Sequence, residues 1–300
     1  SDIRRVRRKL QPLQDLALAA EAIGQAAVVD PMATGVDKMA TLEQAIARAS
    51  VDSPTVTTGD QDLRSIEVAL NGLLRQMQEA KLQQMRFVSD ASHELRTPIA
   101  VIKGYSDLLA RWGKTDEKIL DEGISAIKNE AYHMNYLVEQ LLFLARGDSG
   151  RTALNKQPVM TDVFLREIYE ESLMIDEKHR YRLRDTGEAA EVSIDPGLMK
   201  QAVRILIDNA AKYTPEGEEI QLSYGKTEKG CPYLQVQDLG SGINESELPH
   251  IFERFFRSDE VRSSEGTGLG LSIAKWIVDK HGGHFEVLSR KDLGTRIRIV

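Results

Sequence analysis

Two stretches of this chain repeat apolar residues at alternating intervals of three and four, a rhythm that a helix can bury and a strand cannot. Val88, Ala91, Leu95, Pro98, Ile102, Tyr105 and Leu109 are spaced 3, 4, 3, 4, 3, 4. After a polar break at Gly113-Lys114-Thr115-Asp116 the alternation resumes through Leu120, Ile124, Ile127, Ala131, Met134, Val138, Leu141 and Ala145. The pattern predicts the seam of two antiparallel helices packed as in a coiled coil. One hairpin buries both stripes poorly by itself, so a four-helix bundle built from two chains is the expected completion, and with it a homodimer.

One histidine falls out of phase with that seam. His93 lies two residues after Ala91 and two before Leu95, which turns it away from the bundle core toward solvent. A lone exposed histidine is ordinarily a surface residue. The neighbours Ser92-His93-Glu94-Leu95-Arg96-Thr97-Pro98 argue otherwise. Glu94 places a carboxylate beside the ring, and Pro98 sits inside an unbroken helical pattern, where it deletes a hydrogen bond to the Glu94 carbonyl at a cost of about 3 kcal/mol. His133, His179, His250, His281 and His284 have no comparable surroundings.

Beyond the hairpin, Arg146-Gly147-Asp148-Ser149-Gly150-Arg151 is short and polar and predicts a hinge over 147–152. Strand-like runs follow at 192–194, 219–224, 233–237, 284–288 and 295–299, interleaved with helical runs at 163–176, 197–213 and 269–281. That mixture predicts an α/β sandwich, one sheet covered on one face by helices, over 153–300. On the helix at 197–213, Asn209, Lys212 and Tyr213 are three and four apart and share a face. Asp238 ends a strand and opens a turn with Gly240 and Gly242; by itself this could be an ordinary Asp-Gly turn. Gly266-Thr267-Gly268-Leu269-Gly270 opens a helix, where unobstructed backbone amides form an anion site. Between the glycine clusters, 244–265 is mostly polar and charged, with Ile251, Phe252, Phe255 and Phe256 grouped near its middle, which predicts a lid anchored by aromatics. Arg254 and Arg257 on that lid can reach phosphate oxygens or serve in surface ion pairs.

The histidine segment, Asp208-Asn209-Ala210-Ala211-Lys212-Tyr213, Asp238-Leu239-Gly240-Ser241-Gly242 and Gly266-Thr267-Gly268-Leu269-Gly270-Leu271, in that order, resemble the boxes of the sensor histidine kinases over most of the chain. The resemblance implies an α+β multidomain protein: a helical linker, a hairpin at 80–146 forming the dimeric bundle, and a C-terminal ATP-binding domain. It implies His93 as phosphoacceptor, Glu94 assisting proton removal, and Thr97 aligning water for phosphatase action on a partner. It also implies Asn209 as a Mg²⁺ ligand, Lys212 on phosphate oxygens and Tyr213 beside the nucleotide. Asp238, with Gly240 and Gly242, would receive the adenine, and Gly266, Thr267, Gly268, Leu269 and Gly270 would cradle the phosphates. One position departs from the family: the residue one turn before Asn209, usually a second asparagine, is Ile205, which cannot ligate a metal. Asp208 is the nearest substitute, about 100° away around the helix.

Upstream, apolar residues recur at helical spacing over 10–23 and again from Asp62 through Leu63, Ile66, Leu70, Leu73, Leu74 and Met77. Two such helices resemble a HAMP linker over 1–79, although the connector at 24–61, with another helical run at 37–49, is longer than that family's. Arg4, Arg5, Arg7, Arg8 and Lys9 form a basic cluster of the kind found just cytoplasmic of a membrane helix. No run of about 18 apolar residues occurs. The expectation is the cytoplasmic portion of an inner or plasma membrane sensor, anchored through a segment before residue 1.

Composition narrows the classes. With 39 basic against 46 acidic side chains the chain is mildly acidic, which argues against a nucleic-acid partner. Cys231 is the only cysteine, so neither an internal disulfide nor a cysteine zinc site can form. The expected function is ATP-dependent phosphorylation of His93 and transfer to an aspartate of a response regulator. Alternatives are a phosphatase-dominant or non-catalytic relay and, less favoured, a water-activating ATPase of the related fold, which would need a glutamate that the 197–213 helix does not offer.

Overall fold

The computed structural model describes residues 35–48, 55–113, 115–148, 152–258 and 266–300. The helical run expected over 10–23 and the basic cluster before it lie outside the described residues. The chain divides into two compact units, Ser1–Arg86 and Phe87–Val300.

In the first unit, the expected run at 37–49 is helix α1, Gly35–Arg48. A 3-10 turn over Gln61–Leu63, capped by the Asp60 carboxylate accepting from Asp62 N, leads into a long helix, α2, Arg64–Trp112. The segment before α2 is tied to its first turns. Asn71 exchanges two hydrogen bonds with the backbone of Val56, at 2.7 and 2.9 Å, and Glu67 accepts from Thr58 N and Oγ1. These bonds satisfy an otherwise unpaired extended backbone and sink Val56 to 1% exposure.

The second unit begins with the continuation of α2. The helix runs unbroken through Pro98, which is buried, and turns at Gly113. Helix α3, Glu117–Asp148, returns antiparallel, its start capped by Asp116 Oδ1 accepting from Lys118 N and Ile119 N. Gly123 lets the helices close, because a Cβ there would lie 2.8 Å from the Leu109 side chain. Much of the predicted seam remains unburied in one chain: Val88 is 58%, Ile124 52% and Val138 38% exposed. The residues buried in the second half of α3, Leu137, Gln140, Leu144 and Gly147, form a second stripe on a different face.

That second stripe packs on the C-terminal sandwich. Its elements are β1 (Gln157–Met160), α4 (Thr161–Ile175), β2 (Arg180–Arg184), β3 (Glu191–Ile194), α5 (Pro196–Tyr213), β4 (Glu219–Lys226), β5 (Pro232–Asp238), α6 (Gly270–His281), β6 (Phe285–Arg290) and β7 (Gly294–Ile299). The main sheet has order β2-β4-β5-β7-β6, with β2 parallel to β4 and the other neighbours antiparallel, and β1 pairs with β3 apart from it. Register separates its faces. Leu222, Val236, Ile297 and Val287 line up across four strands and join the core, while Ser223, Gln235, Arg298 and Glu286 line up on the other face. Arg298 Nε donates to Gln235 Oε1 over 2.7 Å and meets Glu286 at 3.6 Å, so the polar face is paired across strands. Fully buried Leu165, Ile168, Ile220, Leu222, Ile273 and Ile277 knit the helices to the sheet, each contributing roughly 1.5–3 kcal/mol relative to exposure.

Helix α5 starts where the sequence dictates. Asp195 caps it by accepting from Leu198 N at 3.1 Å, and Pro196 follows at the first helical position. Backbone amides from Asn155 and Leu198 hold the Asp195 carboxyl below the usual carboxylate range. The predicted hinge is shorter than expected at its start. Helix α3 continues through Gly147 and Asp148 because that turn is packed against Trp276, and 149–151 lie outside the described residues.

Candidate active site

The end of α5, the strand end at Asp238 and the start of α6 converge on one cavity of about 450 Å³. Asn209, Lys212 and Tyr213 line it from α5, as their shared helix face predicts. Asp238 and Gly242 line the opposite side, with Val236, Ile243, Ile251 and Ile297 supplying an apolar slot of the kind a purine fills.

Asp238 is held by its surroundings. One oxygen, Oδ1, accepts from Gly240 N at 2.9 Å and from Thr295 N at 3.0 Å, which leaves Oδ2 for a ligand. Burial raises the carboxyl above its ordinary value, and the two amides pull the other way. The turn that follows depends on glycine at Gly242, where φ is +66° and a Cβ would collide with the Arg290 carbonyl. Gly240 is absent from the cavity wall; it lets the chain pass the backbone of Tyr213, whose carbonyl accepts from Ser241 N.

At the other end, Gly266, Thr267, Gly268 and Gly270 line the cavity before α6. The Lys212 ammonium reaches under this loop, 2.7 Å from where a Gly266 Cβ would stand, and lies 5.0 Å from the Tyr213 ring centroid. A cation beneath glycine amides at a helix start is an anion cradle. Leu269 faces inward instead, fully buried in the core.

The family-divergent position behaves as its chemistry requires. Ile205 is 9% exposed and packs toward Gly270, its Cγ2 3.3 Å from a Cβ placed there. Asp208 also lines the cavity, although one helix position separates it from Asn209. Asp208 is exposed, and such burial as its carboxyl has raises its pKa, against the pull of Arg204. Oxygen donors suited to Mg²⁺ beside phosphates are therefore Asn209 and Asp208. Among the described residues no cluster of three His, Cys, Asp or Glu side chains that could hold a metal ion occurs.

The lid arginines part company. Arg257 lines the cavity. Arg254, expected on phosphate, is turned onto α3 instead, where it forks to both oxygens of Asp148 at 2.9 and 2.7 Å and lies 5.1 Å from the Phe87 ring centroid. The ring of the neighbouring Phe255 is 5.9 Å from that of Phe87. His93, Glu94 and Thr97 are on α2 outside the cavity wall, His93 and Thr97 exposed and Glu94 half-buried.

Two wall residues come from the hairpin. Tyr136 and Gln140, from α3, complete the cavity beside the glycine loop. Gln140 Oε1 accepts from the Thr267 hydroxyl at 2.6 Å. The available signal was a polar residue in phase with Leu137, Leu144 and Gly147, a second buried stripe on a helix already carrying one.

Comparisons with known proteins agree with this geometry. Residues 83–150 match the His Kinase A phosphoacceptor domain, and 194–300 match the ATPase domain common to histidine kinases, DNA gyrase B and HSP90. The chain is 38% identical over 246 residues to sensor histidine kinase YkoH of Bacillus subtilis, an overlap of 79% of this chain and 52% of that protein. It is 32% identical over 247 residues to signal transduction histidine-protein kinase ArlS of Staphylococcus aureus, covering 82% and 54%. The chain thus spans about half the length of these relatives. In fold, it superposes on histidine kinase ThkA, solved in complex with response regulator TrrA, with a TM-score of 0.56 and 22% identity over 75% of this chain and 65% of that one. With Acinetobacter baumannii histidine kinase AdeS the TM-score is 0.50, at 22% identity over 69% and 96%. A phosphoacceptor hairpin and a nucleotide-binding sandwich in one chain, matched in order by both domain families, make it a member of the two-component sensor histidine kinases.

Proposed function

We propose that this chain uses ATP to phosphorylate itself on His93 and passes the phosphoryl group to an aspartate of a response regulator. The observation that carries the reading is the pairing, in one chain, of an exposed imidazole beside Glu94 with a cavity whose ends are Asp238 and the Lys212-glycine cradle. ATP enters base first. Its exocyclic amine donates to Asp238 Oδ2, its rings fill the slot between Ile243 and Ile251, and its phosphates meet Lys212, Arg257 and the amides opening α6.

Asn209 and Asp208 would hold Mg²⁺, which when bound would neutralise phosphate charge. The ring nitrogen of His93 remote from Glu94 attacks the γ-phosphorus in line. A nitrogen–phosphorus bond forms, the bond from the γ-phosphorus to the bridging oxygen breaks, ADP leaves, and Glu94 draws off the proton on the other ring nitrogen. General-base help of this kind is typically worth about 100-fold or more. Domain boundaries follow the chemistry: a hairpin over 80–146, a short connection at 147–152 and a catalytic domain over 153–300, preceded by a HAMP-like linker over 1–79.

The unburied seam of α2 and α3 supports a homodimer joined as a four-helix bundle. The response regulator would dock on the flank of that bundle around His93, and the full protein would be a membrane sensor with this portion on the cytoplasmic side. Thr97, exposed one turn from His93, supports a second activity, removal of phosphate from the regulator. Incubating wild type and His93→Ala with γ-labelled ATP and Mg²⁺ tests the main reading. Acid-labile, base-stable label is expected on the wild type alone; label that survives the substitution refutes it. An unlabelled wild type that still dephosphorylates a regulator would favour the phosphatase-dominant alternative.

A further inference from the structure

Two side chains, Thr267 on the cavity wall and Arg254 on the lid, are both held by α3. The Thr267 hydroxyl donates its one proton to Gln140 Oε1 over 2.6 Å, in a buried contact. With that proton committed, the Thr267 hydroxyl can offer an anion only lone pairs. Arg254 gives Nη1 to Asp148 Oδ2 and Nη2 to Asp148 Oδ1, at 2.9 and 2.7 Å. The fork that grips a carboxylate in two parallel bonds is the same one that would grip a phosphate. The two captors stand two turns apart on one side of α3, beside the buried stripe Leu137, Leu144 and Gly147.

Packing keeps them there. Gly147 admits the Trp276 indole to a distance that would put a Cβ 2.5 Å from Cε2, and Phe143 meets the same indole edge-on with ring centroids 5.1 Å apart. Phe255 and Arg254, neighbours on the lid, both lie against Phe87 of α2. The hairpin thus holds the glycine loop at Thr267 and the lid at Arg254 by independent contacts.

We propose that Gln140 and Asp148 form a latch that competes with the triphosphate of ATP for Thr267 and Arg254. Latched, the cavity takes the adenosine end of the nucleotide through Asp238 but holds its phosphates weakly. Phosphate binding takes Thr267 and Arg254 from α3 and frees the catalytic domain to move relative to His93. By linkage, ATP weakens docking by the same factor by which docking weakens ATP binding. The latch rests on the reading of this cavity as the ATP site.

The test uses the full chain carrying His93→Ala, so that no phosphate is consumed, and titrates it with ATP and with adenosine by calorimetry. Asp148→Ala should tighten ATP by roughly five-fold or more while leaving adenosine unchanged, and Gln140→Ala, on the cavity wall, should tighten ATP relative to adenosine, since each frees one phosphate ligand. ATP affinity that is unaltered or weakened in both variants, with adenosine still bound, overturns the latch and leaves the nucleotide reading intact. Failure of every form to bind either compound removes the nucleotide reading and the latch together. A second measurement follows Trp276 emission in a Trp112→Phe background. ATP should shift it in the latched protein and shift it less in Asp148→Ala, where one of the two holds is already gone; a latched protein whose emission ignores saturating ATP also defeats the proposal.

Discussion

Trp276 closes over Gly147 so tightly that a Cβ at Gly147 would lie 2.5 Å from Cε2 and 2.7 Å from Nε1 of the indole. The glycine is helical and buried, so its role there is space. A glycine inside a helix costs about 1 kcal/mol against alanine, a cost the packing of the indole offsets. The second indole in the chain, Trp112, is exposed at the end of α2 and makes a removable background.

Gly147→Ala should therefore push Trp276 off α3 while lengthening no loop and breaking no strand. In a Trp112→Phe protein, emission from the remaining indole is expected to shift to the red, with far-ultraviolet circular dichroism unchanged. Unshifted emission would mean that the helix and α6 are not in contact in solution.

Asp238→Asn separates recognition from stability. An asparagine keeps an oxygen to accept from Gly240 N and Thr295 N, but offers a neutral amide where Oδ2 would receive the adenine amine. Loss of a charged acceptor should weaken ATP by at least about ten-fold, equivalent to roughly 1.5 kcal/mol. Because burial raises the folded carboxyl above its unfolded value of about 4, its contribution to stability is favourable below about pH 4 and is lost as pH rises through the folded value. At neutral pH the wild-type charge is thus a burden, and the variant should unfold at an equal or higher urea midpoint than the wild type. A lower midpoint would contradict this account of Asp238.

Asp176 shows the opposite sign. Burial opposes its ionisation, but hydrogen bonds from Tyr181, His179 and the Lys178 amide outweigh it and hold the carboxyl below its ordinary value. The same imidazole bridges from Asp176 Oδ2 at 2.7 Å to the Thr214 carbonyl at 3.0 Å, so the group braces the residue that follows Tyr213 at the end of α5. Asp176→Ala should cost about 1–3 kcal/mol at neutral pH by leaving the Tyr181 hydroxyl and His179 Nδ1 without their partner. A depressed carboxylate stabilises above its unfolded pKa and loses that contribution as pH falls through its folded one. The gap between wild type and variant should therefore narrow below about pH 4. A gap that is constant with pH in urea titrations would point to packing rather than charge.

What the sequence disclosed depended on range. The seam at 88–145 and five strands of the sandwich announced themselves through local periodicity, and the α5 face carrying Asn209, Lys212 and Tyr213 followed from helix geometry alone. Strands β1 and β2 did not. Gln157–Met160 is four residues with Pro158 inside, and Arg180–Arg184 is a charged edge strand that shows its alternation only once β4 lies beside it. Arg254 was misplaced for a related reason: its chemistry suits a phosphate and a carboxylate equally, and its partner Asp148 is 106 residues away. Tyr136 and Gln140 entered the cavity wall through the packing of α3 on α6, a tertiary event that no short motif encodes.

The backbone of the lid offers the last prediction. Phe255 has φ +62° and Gly268 has φ +68°, two left-handed residues joined by a 2.9 Å hydrogen bond from Phe255 N to the Gly268 carbonyl. Phenylalanine in that region is strained, so the pairing must be maintained by what surrounds it. A Cβ on Gly268 would lie 2.8 Å from the Phe255 backbone, where nothing flexible can yield. Gly268→Ala should thus separate lid from glycine loop, moving both walls of the phosphate end while leaving Asp238 and the adenine slot in place. Affinity for ATP is expected to fall by about ten-fold or more, the equivalent of roughly 1.4 kcal/mol, with adenosine affinity unchanged. Parallel loss of both ligands would instead mean that the substitution disturbs the whole sandwich, and would sever the proposed link between these two residues and phosphate binding.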